Sequence, residues 1–373
     1  MKKISLITLQ YINNYGSVLQ TYATQEYLKK FGYSVEVVNY TRENCRFDNL
    51  KKSMKAYYRQ KGGIYSLPFV SLILTMRWEH LHKKRNKVFE QFRSNRICLS
   101  AEYESVDALM NNPPVADLYC AGSDQVWNYL YNDGVLPEYF LEYAPKDKKK
   151  FALSSSIGIE KIEDKQCGDL IRKYLSEFSL ITVREKTAQQ VLSAIGCEGV
   201  HQILDPTLLL DKNYWVSKFD LRRTYDEPYV LVYQLNPCKE MDKFAQEIAN
   251  KKNCKLIIIS NNIRLSVPGA QIIDNPAVEQ FLSLILYAEC IITDSFHGTA
   301  FSLNFNKEFF SWLPPKYSTR LTSVLELAEI SERAFTKNEP RWEDMKPIDY
   351  QKVNAIFESW RDNADRLVAE VLL

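Results

Sequence analysis

The feature that most limits the possible folds of this chain is its opening, where a strand, a helix and a second strand follow one another within forty residues. Ile4 to Leu9 is an apolar run of strand length, and Val18 to Phe31 carries apolar residues at helical spacing. Gly32 ends this helix, and the apolar run at 35–38 supplies the next strand. Two strands joined through a helix lie parallel in one sheet. No G-x-G-x-x-G motif follows the first strand, so a nicotinamide or flavin cofactor loses its most specific support.

Strands, polar loops and helices alternate along most of the remaining chain, in two series. The first series continues with strands at 118–121, 151–154, 180–183 and 200–204, and the second has strands at 229–233, 255–260 and 290–293. The length of 373 residues fits two domains of about 150 to 200 residues each. We therefore predict an α/β protein with two Rossmann-like parallel-sheet domains that face a cleft, as in glycosyltransferase B enzymes. The predicted boundaries are 1–212 for the N-terminal domain, 213–345 for the C-terminal domain, and 346–373 for a helix that returns to the first domain.

A basic and apolar insertion at 42–95 interrupts the first series. Its apolar middle, at 64–78, is too short and too polar to span a bilayer, which requires about 20 apolar residues. We favour a helix packed on the flank of the domain. The alternative is a segment at 64–87 that contacts the membrane surface, with apolar side chains in lipid and basic ones at anionic headgroups. The residues of that alternative are Phe69, Leu72, Ile73, Met76, Trp78, Lys83, Lys84, Arg85 and Lys87.

Charge and cysteine content exclude several classes of partner. Lys and Arg total 48 against 46 Asp and Glu, so the net charge of +2 gives no general electrostatic case for nucleic acid. The eight cysteines form no C-x-x-C pair and no Cys/His cluster with zinc spacing, which predicts free thiols in a reducing cytoplasm and no metal site. The segment Met1 to Leu9 lacks the features of a signal peptide. We therefore expect a cytoplasmic protein, peripheral at the inner face of the membrane if the insertion contacts lipid.

Polar loops follow several of the predicted strands, at the edge where ligands bind in open parallel sheets. His297 stands between such a strand end and a helix that starts at Gly298, and a His with a pKa near neutral suits proton transfer. Arg184 also follows a strand and precedes a helix, where its guanidinium suits an anionic substrate. Asp205, which precedes Pro206, fits a turn cap better than a catalytic role.

Five motifs at these strand ends resemble the polysaccharide pyruvyltransferase family, and the likeness extends from Lys3 to about Arg333. The motifs are Asn14-Tyr15-Gly16, Ala121 to Trp127, Ile181 to Glu185, Leu204 to Leu209 and Thr293 to Thr299. The resemblance implies transfer of the pyruvyl carbons of phosphoenolpyruvate to a glycan, with formation of a ketal on two hydroxyls and loss of phosphate. It implies no cofactor besides phosphoenolpyruvate as the donor substrate. The implied acceptor is a glycan or lipid-linked sugar of bacterial surface polysaccharide biosynthesis, such as capsule or exopolysaccharide.

The resemblance also implies roles for individual residues. His297 would be the acid that protonates carbon 3 of the donor, with Arg184 and Arg320 as donor-binding cations. The first domain would bind the acceptor and the second the donor. Asp124 is our candidate for orienting or deprotonating the acceptor hydroxyl, and Asp294 competes for that role. Many members carry Arg two residues before the catalytic His, whereas this chain has Ser295, so Arg320, Lys316 or a backbone amide must supply that contact. Further donor contacts are predicted at Ser295, Gly298, Thr299 and Lys316, and acceptor contacts at Asn14, Tyr15, Gly16, Ser123, Gln125, Trp127 and Asn128, with Tyr15 or Trp127 stacked on a sugar ring.

Structural alternatives and two other functions remain open at this point. His297 and Asn14 are also suited to capping turns, Arg184 to a solvated pair with Glu185, and Arg320 to a helix surface. A nucleotide-sugar-dependent glycosyltransferase of the same fold requires a pyrophosphate-binding signature, and we find no distinct one in the second domain. A glycan-binding or scaffold protein without catalytic activity would use the same acceptor residues.

Overall fold

The computed structural model describes residues 1–236, 238–260, 267–314, 318–336 and 345–372. The strands within these ranges are β1 Lys3–Ile7, β2 Ser34–Tyr40, β3 Leu99–Tyr103, β4 Leu118–Ala121, β5 Lys149–Ser155, β6 Phe178–Val183, β7 Val200–Gln202, β8 Tyr229–Tyr233, β9 Lys255–Ser260, β10 Ala270–Asp274, β11 Cys290–Thr293, β12 Phe309–Trp312 and β13 Ala334–Phe335. The α-helices are α1 Tyr15–Lys29, α2 Phe47–Gln60, α3 Pro68–Arg96, α4 Val106–Asn111, α5 Tyr129–Asn132, α6 Lys165–Leu175, α7 Lys186–Ala194, α8 Pro206–Leu209, α9 Lys212–Lys218, α10 Lys239–Lys251, α11 Val278–Leu286, α12 Phe296–Asn304, α13 Thr319–Leu327 and α14 Tyr350–Leu372.

The strands form two parallel sheets, which confirms the predicted pair of Rossmann-like domains. The first sheet has the order β3-β2-β1-β4-β5-β6-β7, and the second has the order β10-β9-β8-β11-β12-β13. Their central strands are buried on both faces, and for this reason they are continuous apolar runs in the sequence. The strand order reverses between β1 and β4 and between β8 and β11. Ligands of open parallel sheets bind at the carboxyl ends of the strands beside such a reversal.

A continuous apolar core joins the two sheets. Tyr15, in the first turn of α1, is buried at this junction, where its ring stacks on Phe281 with the centroids 4.2 Å apart. Its hydroxyl donates to the carbonyl of Pro276 at 2.6 Å. The side chain of Asn304, on α12, donates to the carbonyl of Thr207 at 2.7 Å. Buried hydrogen bonds in an apolar setting have few alternative geometries, so these contacts fix how the two sheets face each other.

The insertion is a helical hairpin built from α2 and α3. The C-terminal half of α3 packs on the first domain, where Phe89 and Phe92 enter the shared core. This half follows the apolar middle at 64–78, for which the flank packing was predicted. That prediction is wrong for most of the large apolar side chains of the middle, because they are exposed. The N-terminal half of α3 extends away from the core and exposes several large apolar side chains. Among the described residues, no helix combines the length and the apolarity needed to cross a bilayer.

The C-terminal helix α14 returns to the first domain, as predicted. The hydroxyl of Tyr27 donates to Oδ1 of Asp365 at 2.8 Å, and Nζ of Lys30 lies 2.6 Å from Oδ2 of the same carboxylate. Nε of Arg361 donates to the carbonyl of Leu208 at 2.8 Å. The apolar side of the helix enters the shared core, so α14 covers the first domain beside the junction.

Candidate active site

A cavity of about 1230 Å³ lies between the two domains, where the carboxyl ends of their central strands meet. Loops that follow β1 and β4 line it from the first domain, and loops that follow β8, β11 and β12 line it from the second. A concave site with apolar walls and a few converging polar groups is typical of ligand binding. The polar side chains at the wall are Asn14, Ser17, Asp124, Gln125, Tyr131, Asn236, Lys239, Glu240, Asp294, Ser295, His297, Ser318, Arg320 and Thr336.

His297 lies in the first turn of α12, directly after β11, and forms part of the cavity wall. The hydroxyl of Ser295 caps this helix by accepting from the amide of Gly298 at 3.3 Å. His297 is only 6% exposed, and its Nε2 lies 3.8 Å from Oδ2 of Asp205. Burial lowers the pKa of His297 to about 4, although Asp205 acts to raise it, and Arg184 lowers it further. The imidazole of the ligand-free protein is therefore neutral at pH 7.

Asp205 is a buried carboxylate that links His297 to the first domain. Its Oδ2 accepts from Nη1 of Arg184 at 2.9 Å and from the hydroxyl of Ser123 at 3.1 Å. Its Oδ1 accepts from the amide and the hydroxyl of Thr207, at 3.0 and 2.7 Å, so Asp205 also caps α8 as predicted. Burial acts to raise the pKa of Asp205, but His297 and Arg184 hold it below its usual range. A charged carboxylate beside Nε2 favours a proton on His297.

Arg184 is the central cation of this buried cluster, and its side chain has no exposed surface. Besides the bond to Asp205, its guanidinium lies 3.6 Å from carboxylate oxygens of both Asp124 and Glu185. It also lies 4.6 Å from the ring centroid of Phe296. Burial acts against its charge, yet the three carboxylates raise the pKa of Arg184. Arg184 does not line the cavity, and its Nε and Nη2 have no hydrogen-bond partner among the described residues. The direct contact with the donor therefore stays a prediction.

Asp124 lies at the cavity wall in a backbone conformation that few residues adopt, with a φ of 78°. Its Oδ2 accepts from the hydroxyl of Ser17 at 2.8 Å, and its Oδ1 accepts from the amide of Gln125 at 2.9 Å. Burial acts to raise the pKa of Asp124, but Arg184 and His297 hold it below its usual range. An ionised carboxylate is therefore fixed at the wall, where it can accept a hydrogen bond from a substrate hydroxyl.

Arg320 brings a guanidinium to the cavity wall from the start of α13. Its Nε is buried without a hydrogen-bond partner in the described structure. Burial and the nearby Arg184 lower the pKa of Arg320, while Asp124 acts in the opposite direction. Since a guanidinium stays charged in proteins, the cavity has a cation whose donors are not all used by the protein itself.

The predicted site residues divide into those that line the cavity and those that lie behind its wall. Besides Asp294, six predicted residues line the cavity, namely His297, Asp124, Arg320, Asn14, Gln125 and Ser295. Asn14 also caps α1. Lys316 lies outside the described residues. The predicted residues that do not line the cavity are Tyr15, Gly16, Ser123, Trp127, Asn128, Arg184, Gly298 and Thr299.

The predicted ligand contacts of Ser123, Asn128, Gly298 and Thr299 are wrong because internal partners occupy their polar groups. The hydroxyl of Ser123 is bonded inside the buried cluster. The Asn128 side chain caps α5, and the Gly298 amide is bonded to the cap of α12. The hydroxyl of Thr299 lies 2.6 Å from that of Ser311. These four residues stabilise the loops and helices that form the site, and they do not line the cavity.

The predicted stacking of Trp127 or Tyr15 on a sugar ring is also wrong. Trp127 is 1% exposed, and its ring stacks on Phe140 with the centroids 5.6 Å apart. Its Nε1 donates to the carbonyl of Tyr139 at 3.0 Å. Tyr15 is enclosed at the domain junction. The rings of Trp127 and Tyr15 therefore pack against other aromatic rings inside the protein.

Gly16, predicted to contact the acceptor, lies directly against the imidazole ring of His297. A Cβ atom built on Gly16 would lie 2.1 Å from Nδ1 of His297, which is far inside any contact distance. Glycine at this position allows the imidazole to pack against the start of α1. Its role is therefore to admit the ring that reaches across the domain junction.

Several wall residues were missed from the sequence. Ser17 follows Gly16 and orients Asp124 through its hydroxyl. Asn236 and Lys239 follow β8, and the strand-end rule would have found them had it been applied to this strand as well. Asp294 was not missed, because it was predicted as a competitor of Asp124, and it lines the second side of the cavity. Its Oδ2 accepts from the amide of Asn236 at 2.8 Å, and burial raises its pKa. Its carboxylate shapes the loop after β8, on the second side of the cavity.

The two facing parallel sheets, with the cavity between the carboxyl ends of their strands, define the glycosyltransferase B architecture. The chain belongs to the polysaccharide pyruvyl transferase family, whose sequence model matches residues 14–315. The protein is therefore a transferase, and the family predicted from the sequence is confirmed. A search of curated proteins finds no match.

Several solved structures are similar to this chain at low sequence identity. A UDP-N-acetylglucosamine 2-epimerase is 11% identical with a TM-score of 0.51, over 100% of this chain and 95% of that chain. UDP-GlcNAc 2-epimerase from Neisseria meningitidis, bound to UDP-GlcNAc, is 11% identical with a TM-score of 0.48, over 100% and 99% of the two chains. The E. coli heptosyltransferase WaaC with ADP is 7% identical with a TM-score of 0.39, over 89% and 98%. At 11% identity, the TM-score of 0.51 indicates a similar fold and does not indicate which substrate this chain binds.

Proposed function

We propose that the protein transfers the pyruvyl group of phosphoenolpyruvate to two hydroxyls of a lipid-linked glycan, forming a ketal and releasing phosphate. The observation that carries this proposal is the meeting of His297, Arg320 and Asp124 at one interdomain cavity, in a chain of this family. The three side chains supply a proton-transfer group, a cation and a carboxylate. A cavity of about 1230 Å³ has room for a small donor and a sugar together.

The donor is assigned to the corner between Arg320 and the start of α12. A guanidinium binds carboxylate or phosphate through two parallel hydrogen bonds. In the first turn of α12, helix geometry leaves the amides of Phe296 and His297 without intrahelical acceptors, which favours an anion there. Ser295 contributes the helix cap and no charge, so Arg320 is the cation we assign to the donor.

The proposed reaction begins with proton transfer to carbon 3 of the donor, which makes carbon 2 electrophilic. One sugar hydroxyl adds to carbon 2, the bond from carbon 2 to the phosphate oxygen breaks, and phosphate leaves with the electron pair. The second hydroxyl then adds to carbon 2 and closes the ketal. Of the two hydroxyl protons, one balances the proton gained by carbon 3 and the other leaves with phosphate. His297 is assigned the first transfer, and Asp124 the orientation of the acceptor hydroxyl.

His297 has to gain a proton before it can act as this acid, because burial keeps it neutral in the free protein. A multiply charged anion at the same corner favours the imidazolium form and raises the pKa of His297. The carboxylate of Asp205, 3.8 Å from Nε2, acts in the same direction. In this proposal the donor therefore binds together with a proton.

The test of this function is to incubate the protein with phosphoenolpyruvate and candidate lipid-linked sugars, and to follow phosphate and the acceptor mass. The expected product has gained one pyruvate minus one water, with an equal amount of phosphate released. A product that gains a sugar from a nucleotide donor, with phosphoenolpyruvate unused, would make the protein a glycosyltransferase. Glycan binding without any turnover would make it a binding protein.

Replacing Arg320 with Ala should raise the KM for phosphoenolpyruvate by about 10- to 100-fold, which corresponds to the loss of a hydrogen bond to a charged group. Initial rates of phosphate release at varied donor concentration measure this change. Arg366→Ala, on the exposed side of α14, is the matched control and should leave KM unchanged. An unchanged KM in Arg320→Ala would remove Arg320 from the donor site.

Replacing Gly16 with Ala should lower kcat by about 100-fold, because the added Cβ displaces the imidazole and a shift of about 1 Å can have this effect. The fold should persist, since Ala is more favourable than Gly within a helix. Gly168→Ala is the control, because its Cβ would meet only Ile162 and Ile195, each at 3.5 Å. Full activity of Gly16→Ala would show that the position of the ring does not matter.

A further inference from the structure

The helical hairpin exposes most of the large apolar side chains found at the surface. We call residues 49–78 the hairpin tip. Thirteen large apolar residues are exposed in the described chain, and eight of them belong to this tip. Soluble proteins rarely leave a cluster of this kind uncovered. The eight are Tyr57, Ile64, Tyr65, Leu67, Phe69, Leu72, Ile73 and Met76.

The apolar stripe of α3 faces solvent, although the opposite side of the same helix is buried. It consists of Phe69, Leu72, Ile73 and Met76, which are spaced three and four residues apart. Ser71 and Thr75 lie on the opposite face and are buried, at 2% and 4% exposure. The hydroxyl of Thr75 donates to the carbonyl of Ser71 at 2.7 Å, so the small polar residues are satisfied inside the hairpin. Packing within this chain therefore does not account for the outward direction of the stripe.

The hairpin tip is strongly positive. It contains six Lys or Arg residues and no Asp or Glu, in a chain whose total net charge is +2. The rest of the chain is therefore net negative. Five of the six basic residues are exposed, namely Lys52, Lys55, Arg59, Lys61 and Arg77.

This charge selects what can cover the stripe. A second copy packed tip to tip would bring two groups of six positive charges together, and like charges at an interface oppose association. An anionic lipid surface attracts basic side chains to its headgroups and accepts apolar side chains at the boundary of its acyl chains. The hairpin tip exposes both kinds of side chain.

The other end of α3 leads to the candidate active site. Nη2 of Arg93 donates to Oδ1 of Asn13 at 3.1 Å, and Nδ2 of Asn13 donates to Oδ1 of Asn86 at 2.9 Å. Asn13 precedes Asn14, which lines the cavity. One continuous helix connects the stripe to these contacts over roughly 20 to 30 Å. A contact made by the tip therefore places the cavity at a defined distance from that surface.

We propose that the hairpin tip docks the protein on an anionic membrane surface, with the apolar stripe in the interface and the basic residues at the headgroups. The docking holds the cavity close to an acceptor anchored in the same leaflet. That benefit rests on the proposed function, whereas the docking itself does not.

Vesicle flotation of the full chain without substrates tests the docking. The vesicles contain phosphatidylcholine alone or phosphatidylcholine mixed with phosphatidylglycerol. We expect the protein to float with the anionic vesicles and to lose this binding as salt is raised. Phe69→Ser with Ile73→Ser, and separately Lys52→Gln with Lys55→Gln and Arg59→Gln, should each lower the bound fraction at least tenfold. Val115→Ser with Val216→Ser removes exposed apolar residues elsewhere and should leave binding unchanged.

Three outcomes would overturn the docking. The first is that the wild-type protein does not float with anionic vesicles. The second is that Phe69→Ser with Ile73→Ser floats like wild type. The third is that the wild type binds no lipid but is a dimer in sedimentation velocity, and that these two substitutions make it monomeric. Turnover of a water-soluble acceptor analogue separates this proposal from the proposed function. The tip variants should keep the wild-type rate because their residues lie outside the cavity, and an inactive wild-type protein that still floats would contradict only the proposed function.

Discussion

Replacing His297 with Asn should slow phosphate release by about 100- to 10,000-fold, the range that one acid–base group contributes. Asn keeps a polar side chain in the space beside Gly16 but cannot hold and deliver a proton at neutral pH. Donor binding should change far less, because Arg320 is unaltered. Single-turnover rates and equilibrium binding of phosphoenolpyruvate measure the two effects separately. His201→Asn, at an exposed position of β7, is the matched control.

The same variant also tests the coupling of donor and proton. The pKa of His297 is about 4 in the free protein, and in the proposed reaction the anionic donor raises it, so the complex should hold more protons than the free protein at neutral pH. Binding should therefore tighten as pH falls from 8 to 6, beyond the effect of the donor's own phosphate. In His297→Asn only the effect of the phosphate remains. Equal pH dependence in both proteins would remove His297 from the proton transfer.

Replacing Arg184 with Met should lower the free energy of unfolding by about 3 to 5 kcal/mol, because the change leaves buried carboxylates without their cation. Asp205, Asp124 and Glu185 all face this guanidinium, and the side chains of Asp205 and Glu185 are fully enclosed, at 0% and 1% exposure. Urea denaturation measures the loss as a shift of the midpoint. Arg172→Met, which removes an exposed pair with Asp169, should change stability by less than about 1 kcal/mol.

The Arg184 variant also separates a supporting role from a direct contact with the donor. Since Arg184 does not line the cavity, the folded variant should keep a KM for phosphoenolpyruvate within a few-fold of wild type. A large rise in KM with unchanged stability would establish Arg184 as a donor-binding residue. Unchanged stability and unchanged KM would mean that the carboxylates take up protons when the guanidinium is absent.

The central strands were predictable because of where they lie. Tyr229–Tyr233, Lys255–Ser260 and Cys290–Thr293 were predicted with the bounds that the structure has, since parallel strands buried on both faces are continuous apolar runs. The edge strands Leu99–Tyr103 and Ala270–Asp274 were missed. They are partly exposed and carry charged residues, so their sequences resemble loops.

The strand-end rule found Asp124 and His297 because topology alone brings the carboxyl ends of the central strands together. It could not tell which way a side chain turns within a loop. Trp127 is equally suited to a sugar face and to a core, and its packing on Phe140 decides the matter. The burial of Arg184 likewise depends on carboxylates from three separate segments of the chain, and no local sequence pattern shows that they meet.

Many two-domain enzymes close around their substrates by moving one domain against the other. In this protein the rings of Tyr15 and Phe281 stack at the domain junction, and the hydroxyl of Tyr15 donates to the carbonyl of Pro276 at the same place. A movement that separated these residues would leave the buried hydroxyl without its acceptor, which is costly. We therefore expect any closure to leave this contact intact and to use it as the pivot about which the two domains turn.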